Sequence, residues 1–177
     1  MAVGLFTLHA YGTWWPDNRR GYTVRGKGVL APDSEAASRY RERARGDEVR
    51  FDLLMQRVLI AGAVDVCQHR GWRLHGVGTD PTHGHFLLSC AGYLDFTAAR
   101  DRLKNLLSLF LGRASAIEGR KWFAAGGSKK RVEDRERFDY LMSAYLPKQR
   151  GLFWREGMEL PEIPEGILHP PGPASHG

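Results

Sequence analysis

Only two cysteines, Cys67 and Cys90, occur in the 177 residues, and no Cys-x-x-Cys pair is present. That excludes a disulfide framework and a closed thiolate zinc site, and it fits a reducing, cytoplasmic setting. Equally absent is an apolar run long enough to span a membrane, and residues 1–6 lack the basic start and apolar stretch of a signal peptide. The expectation is a soluble chain with no membrane partner. Negative charge is the scarcer sign, with 20 Asp and Glu against 26 Lys and Arg, for a formal net charge of +6. This excess favours a polyanionic partner such as nucleic acid without establishing one. The length suits one ordinary domain with its own core.

What is present centres on Thr82-His83-Gly84-His85-Phe86-Leu87-Leu88. In a strand, alternate side chains share a face, so His83, His85 and Leu87 point one way and Gly84, Phe86 and Leu88 the other. Two neutral imidazoles on one face suit a divalent metal, or they are simply hydrogen-bonded strand residues. Residues 78–81 (Gly-Thr-Asp-Pro) read as the turn of a hairpin whose first strand covers 72–77.

Upstream, residues 3–11 read as a first strand, stopped by a loop over 12–21 that carries Trp14, Trp15, Arg19 and Arg20. Buried, the Trp pair caps the sheet. Exposed, it stacks bases while the arginines meet phosphates. After an irregular insertion over 22–46, Asp47 is placed to cap a helix with a Phe51, Leu54, Met55, Val58, Leu59, Gly62 and Val66 stripe. A second amphipathic helix, started by Asp95 or Thr97, carries Leu103, Leu106, Leu107, Phe110 and Leu111 and stops at Gly112. Residues 121–124 read as a fourth strand. The following Gly126-Gly127-Ser128-Lys129-Lys130-Arg131 is a solvated hairpin tip or a contact to a DNA backbone, joined by Lys121. A last helix from Glu133 shows Phe138, Leu141, Met142 and Tyr145 on one face, with Gln149 one turn beyond and Tyr140 off the stripe. On spacing alone Tyr145 is core.

The order strand, helix, hairpin, helix, strand, helix predicts an α+β, ferredoxin-like (split βαβ) fold. Two helices cover one face of an antiparallel sheet, and the Tyr-bearing helix approaches the His face. One domain covers 1–155, followed by a Pro/Gly-rich tail over 156–177.

With these elements in place, Pro81-Thr82-His83-Gly84-His85-Phe86-Leu87-Leu88 resembles the Pro-Asn-His-hydrophobic-His-Leu-Leu signature of single-tyrosine HUH transposases. Tyr11-Gly12-Thr13-Trp14-Trp15-Pro16-Asp17-Asn18-Arg19-Arg20-Gly21 is similar to the Tyr-Gly-Thr-Trp-Leu-Pro opening of their REP-associated branch. The likeness extends to about Gly151. It implies that Tyr145 is the nucleophile, that His83, His85 and Gln149 hold Mg²⁺ or Mn²⁺, and that the substrate is single-stranded, hairpin-bearing DNA. It further implies a covalent 5′-phosphotyrosine and a free 3′-OH, and it leaves a homodimer open.

Two departures stand out. Gly84 replaces a bulky residue and is expected to loosen the core face of its strand. Pro147, between Tyr145 and Gln149, is expected to distort the turn that spaces them, with Asp80 or water replacing Gln149 at the metal. Both motivate an alternative, a catalytically impaired hairpin-DNA binding protein of the same fold. A third reading uses the His pair to activate a water nucleophile in a metal-dependent hydrolase.

Overall fold

In β1 (Ala2–His9) the side chains divide by parity: Phe6 and Leu8 enter the larger core cluster, while Leu5 enters a smaller one on the opposite face. This division runs through the whole sheet. The computed structural model describes residues 2–19, 21–24, 27–44, 46–90, 95–117 and 119–169. In chain order it then contains β2 (Tyr22–Val24), β3 (Gly28–Leu30), α1 (Ser34–Arg43), α2 (Leu53–Arg70), β4 (Arg73–Asp80) and β5 (His83–Cys90). These are followed by α3 (Phe96–Ser115), β6 (Ser128–Val132), α4 (Arg135–Tyr140), a π-helical turn over Leu141–Tyr145, and β7 (Phe153–Arg155).

The main sheet is five-stranded and antiparallel, in the order β6-β1-β5-β4-β7. Its first four strands, with α2 and α3 as crossovers, make the split βαβ pattern of a ferredoxin-like α+β fold. Helices α2 and α3 bury Val58, Leu59, Leu103 and Leu107 against Phe6, Leu8, Phe86 and Leu88. On the other face a smaller cluster of Leu5, Leu87, Val132, Leu141 and Leu146 seats the segment that carries Tyr145.

Several boundaries differ from the sequence reading. Asp52, not Asp47, caps α2, its carboxylate accepting from Met55 N at 2.8 Å. The preceding chain is held extended, with Val49 N donating to Tyr11 O and Phe51 N to Pro81 O, so the helix cannot begin earlier. The hairpin turn is Pro81–Thr82 alone; Gly78, Thr79 and Asp80 are strand residues paired with His85, Gly84 and His83. Helix α3 passes Gly112 and ends at Ala116 in the left-handed region, φ 53°. The 121–124 stretch makes one isolated bridge, Ala10 to Phe123, and the fourth strand of the motif is the basic run itself, β6. The insertion holds the β2–β3 hairpin and α1, the latter capped by Asp33.

Gly84 does not loosen β5. The Phe86 ring folds back over it, so that a Cβ there would lie 3.0 Å from two ring carbons, and both residues are buried. The described part of the tail packs: Ile167 is buried, and Arg113 Nη1 donates to the Ile167 and Leu168 carbonyls at 3.1 and 3.0 Å. Pro170, Pro171 and Pro173 lie outside the described residues.

Candidate active site

Strand register places the polar side chains. On the face away from α2 and α3, His9 of β1 lies directly across from His83 of β5, and Thr7 across from His85. The imidazole pair therefore has two neighbours on β1 that only the register reveals. Ring centroids are 4.7 Å apart for His83 and His85 and 5.6 Å for His9 and His83.

Both paired imidazoles are oriented through Nδ1. His85 Nδ1 lies 2.8 Å from Thr7 Oγ1. The Thr82 hydroxyl donates to Asp80 Oδ1 at 2.7 Å, so the 2.9 Å contact to His83 Nδ1 is one in which the imidazole donates. Asp80 also accepts from Thr82 N and stands 3.6 Å from His83 Nδ1. Burial alone would raise the Asp80 pKa; the Thr82 hydrogen bonds and the His83 and Arg150 charges outweigh it and hold the carboxyl below its ordinary value. Burial, aided by His83, pushes His85 down to about 3 and His9 to about 4, which keeps both rings neutral.

Each Nδ1 thus has an outer hydrogen-bond partner, an arrangement in which a metal-binding histidine would ligate through Nε2. Among the described residues, no group of three or more His, Cys, Asp and Glu is arranged to hold a metal. Gln149 Cγ lies over Gly78, the residue paired with His85, so the two imidazoles and the Gln149 amide oxygen would make a mixed N/O set suited to a hydrated divalent ion. Asp80 Oδ1 is engaged by Thr82 behind His83, where a carboxylate would orient that imidazole.

Tyr145 reaches this pair because β4 has no side chains in its way. A Cβ at Gly78 would stand 2.7 Å from Leu146 O and 2.9 Å from Gln149 Cγ; one at Gly76 would stand 3.1 Å from Leu146 Cδ1 and Met142 Sδ. The glycines let the Tyr-bearing turn lie almost on the sheet backbone. Tyr145 Oη comes to 3.2 Å from His85 Nε2, with ring centroids 5.0 Å apart.

Pro147 does not end the helical path at Tyr145. Leu146 stays right-handed helical at φ −66°, ψ −42°, and its N–H donates to Leu141 O, one residue further back than in an α-helix. A proline ring collides with the carbonyl four residues earlier in an α-helix, and the wider turn moves that carbonyl aside. Gln149 Nε2 then donates back to Tyr145 O at 2.9 Å, which sets the amide orientation. A buried network fixes the exit from this turn. Gln56 Oε1 accepts from Thr79 Oγ1 at 2.8 Å and Leu152 N at 3.2 Å, and Gly151 N donates to Thr79 O.

The residues proposed from sequence to meet DNA fall in different places. Trp14 is exposed and lies over His9 at 4.9 Å, whereas Trp15 is half-buried under the Arg41 guanidinium, 5.4 Å from its ring, and serves to dock α1. Arg19 is exposed, and Arg20 lies outside the described residues. Lys121 stands over the Tyr11 ring at 5.0 Å. In β6, Lys130 shares the Leu5 face and so the face of Tyr145, while Lys129 and Arg131 take the opposite parity and Lys129 bonds Thr97. Sequence reasoning missed His9 and Thr7 as neighbours of the pair. The alternation of Thr7 and His9 in an otherwise apolar strand was the available signal.

No protein-family model and no curated protein matches the sequence. Among solved structures, the fold is similar to that of the REP-associated tyrosine transposase bound to a REP hairpin, with a TM-score of 0.43 and 9% sequence identity. That likeness covers 78% of this chain, which spans 61% of the other chain's length.

Proposed function

We propose that the protein nicks and joins single-stranded, hairpin-bearing DNA through a covalent 5′-phosphotyrosine on Tyr145, in the manner of a transposase. The observation that carries this reading is the 3.2 Å approach of Tyr145 Oη to His85 Nε2 on the imidazole face. Tyr145 packs by one side on the smaller apolar cluster, yet its hydroxyl is directed to the imidazole pair, which supports a nucleophilic role over a purely structural one. The motif resemblance and the +6 charge support the choice of DNA.

In the proposed reaction, Tyr145 Oη bonds to phosphorus as the bond to the 3′ oxygen breaks. The phenol loses its proton and the departing oxygen gains one, leaving a 3′-OH. A new 3′-OH attacking the phosphotyrosine reverses the exchange, so joining requires no ATP. Mg²⁺ or Mn²⁺ held by His83, His85 and Gln149 would supply Lewis-acid polarisation of the scissile phosphodiester. Thr7, Thr82 and Asp80 orient the imidazoles, and the Gln56–Thr79 network holds the end of the tyrosine turn on β4.

The test is incubation of labelled single-stranded hairpin DNA with Mn²⁺, with and without EDTA. The expected product is a denaturation-resistant protein–DNA band that needs metal and disappears in Tyr145→Phe. Turnover that survives in Tyr145→Phe would assign the chemistry to a water nucleophile. Salt-sensitive binding with no band would leave a binding protein that no longer cuts.

A further inference from the structure

Six rings form an unbroken row across the site: Trp14, His9, His83, His85, Tyr145 and Tyr140. Successive centroids are 4.9, 5.6, 4.7, 5.0 and 6.4 Å apart. The inner rings carry the proposed chemistry. The two ends are of another kind, since Trp14 is 37% and Tyr140 47% exposed, both well beyond what a core aromatic shows.

Each end is fixed by something other than its own burial. Thr13 Oγ1 donates to Ala10 O at 2.8 Å and Thr82 O at 3.2 Å, which ties the loop before Trp14 to the ends of β1 and the hairpin. Tyr140 joins the row because of the π-turn. Residues five apart in an α-helix are turned about 140° from each other, whereas the wider turn brings Tyr140 and Tyr145 to the same side. The Arg137 guanidinium lies on one side of the Tyr140 ring, 5.3 Å from its centroid, and adds a cation at that end of the row.

We infer that Trp14 and Tyr140 are base-stacking ledges on opposite sides of the reacting phosphate, gripping an unpaired strand that runs along the ring row. This deepens the nicking reading and rests on it for the identity of the strand. Exposed aromatics with flanking cations are the means by which proteins hold single strands without reading their sequence, because every base offers a π face. Paired bases are already stacked in a duplex and cannot use these ledges, so the arrangement selects single-stranded DNA.

The test measures binding of a labelled single-stranded oligonucleotide and its duplex by fluorescence anisotropy in EDTA, where metal-dependent cleavage does not interfere. Trp14→Ala and Tyr140→Ala should each weaken single-strand binding roughly 5- to 150-fold and leave duplex binding within twofold. Trp14→Phe and Tyr140→Phe, which keep a ring, should recover most of the affinity. An abasic nucleotide opposite one ledge should cost little further affinity in the matching alanine variant, and its full cost in the other. Alanine variants that bind the single strand like wild type, or that lose single strand and duplex equally, would overturn the ledges. A metal-dependent adduct formed by alanine variants of unchanged affinity would remove the ledges and keep the nicking reading. Selective loss of single-strand binding in a protein that forms no adduct would keep the ledges and remove the nicking.

Discussion

Tyr145 Oη lies 3.2 Å from His85 Nε2, and Thr7 Oγ1 holds Nδ1 of the same ring at 2.8 Å. In the tautomer that donates Nδ1–H to Thr7 Oγ1, the Nε2 lone pair faces the phenol. The phenolic hydrogen bond and a metal–nitrogen bond at Nε2 are therefore alternatives.

Removing the phenol should accordingly tighten metal binding. Tyr145→Phe is expected to bind Mn²⁺ about fivefold more tightly in calorimetry without DNA, the worth of one ordinary hydrogen bond of about 1 kcal/mol. An unchanged or weaker affinity would show that His85 does not ligate through Nε2.

Thr7 should matter out of proportion to its size. Thr7→Val keeps the volume but leaves a buried N–H of His85 without its acceptor, costing about 1–3 kcal/mol of stability. It should also lower Mn²⁺ affinity about 10- to 100-fold by releasing the ring. Thr7→Ser should restore both in urea unfolding and calorimetry; failure of that rescue would mean that the hydroxyl is not what orients His85.

The two glycines under the tyrosine turn should respond differently. At Gly78 a Cβ meets Leu146 backbone at 2.7 Å, which cannot yield without lifting the turn, whereas at Gly76 it meets flexible side-chain ends. Gly78→Ala should cost about 1–3 kcal/mol and about 100-fold in adduct formation, since a misplacement near 1 Å is enough for that. Gly76→Ala should lose much less. Equal effects in a time course of adduct formation would show that the turn is not seated by Gly78.

Stability should fall in mild acid. His9 and His85 are held near 4 and 3 in the fold, against 6.5 for an ordinary histidine, so below about pH 6.5 the unfolded chain takes up protons that the native chain does not. Their contribution is complete above that pH and is lost progressively as pH falls through the native values. The urea midpoint should drop between pH 7.5 and 5, and His9→Gln should flatten part of that drop. An undiminished drop in His9→Gln would place the titration elsewhere.

How far the sequence could be read follows from the range of the forces involved. The shared face of His83 and His85, and the stripes of α2 and α3, come from local two-residue and 3.6-residue periods, which a single segment displays. Thr7 and His9 become part of the site only through the pairing of β1 with β5, 74 to 78 residues away, which no local pattern encodes. The basic run of β6 was unreadable as a strand because at a sheet edge its cations stay solvated on both parities. The π-turn was hidden for a related reason: Pro147 announces a broken helix, while packing of Leu141 and Leu146 against Leu5 and Leu87 holds a widened one. Strand β7 is three residues long and depends on the Gln56–Thr79 network just before it.

The two ends of the sheet bear on how copies of the protein behave in solution. An outer strand offers unpaired backbone groups to any other outer strand, the usual route to edge-to-edge aggregation. Here β7 is too short to template such growth, and β6 exposes Lys129, Lys130 and Arg131 in succession. Two β6 edges would therefore repel by charge. A polyanion lying along β6 would cancel that repulsion, so an edge that resists pairing between free copies would lose that resistance wherever negative charge covered it.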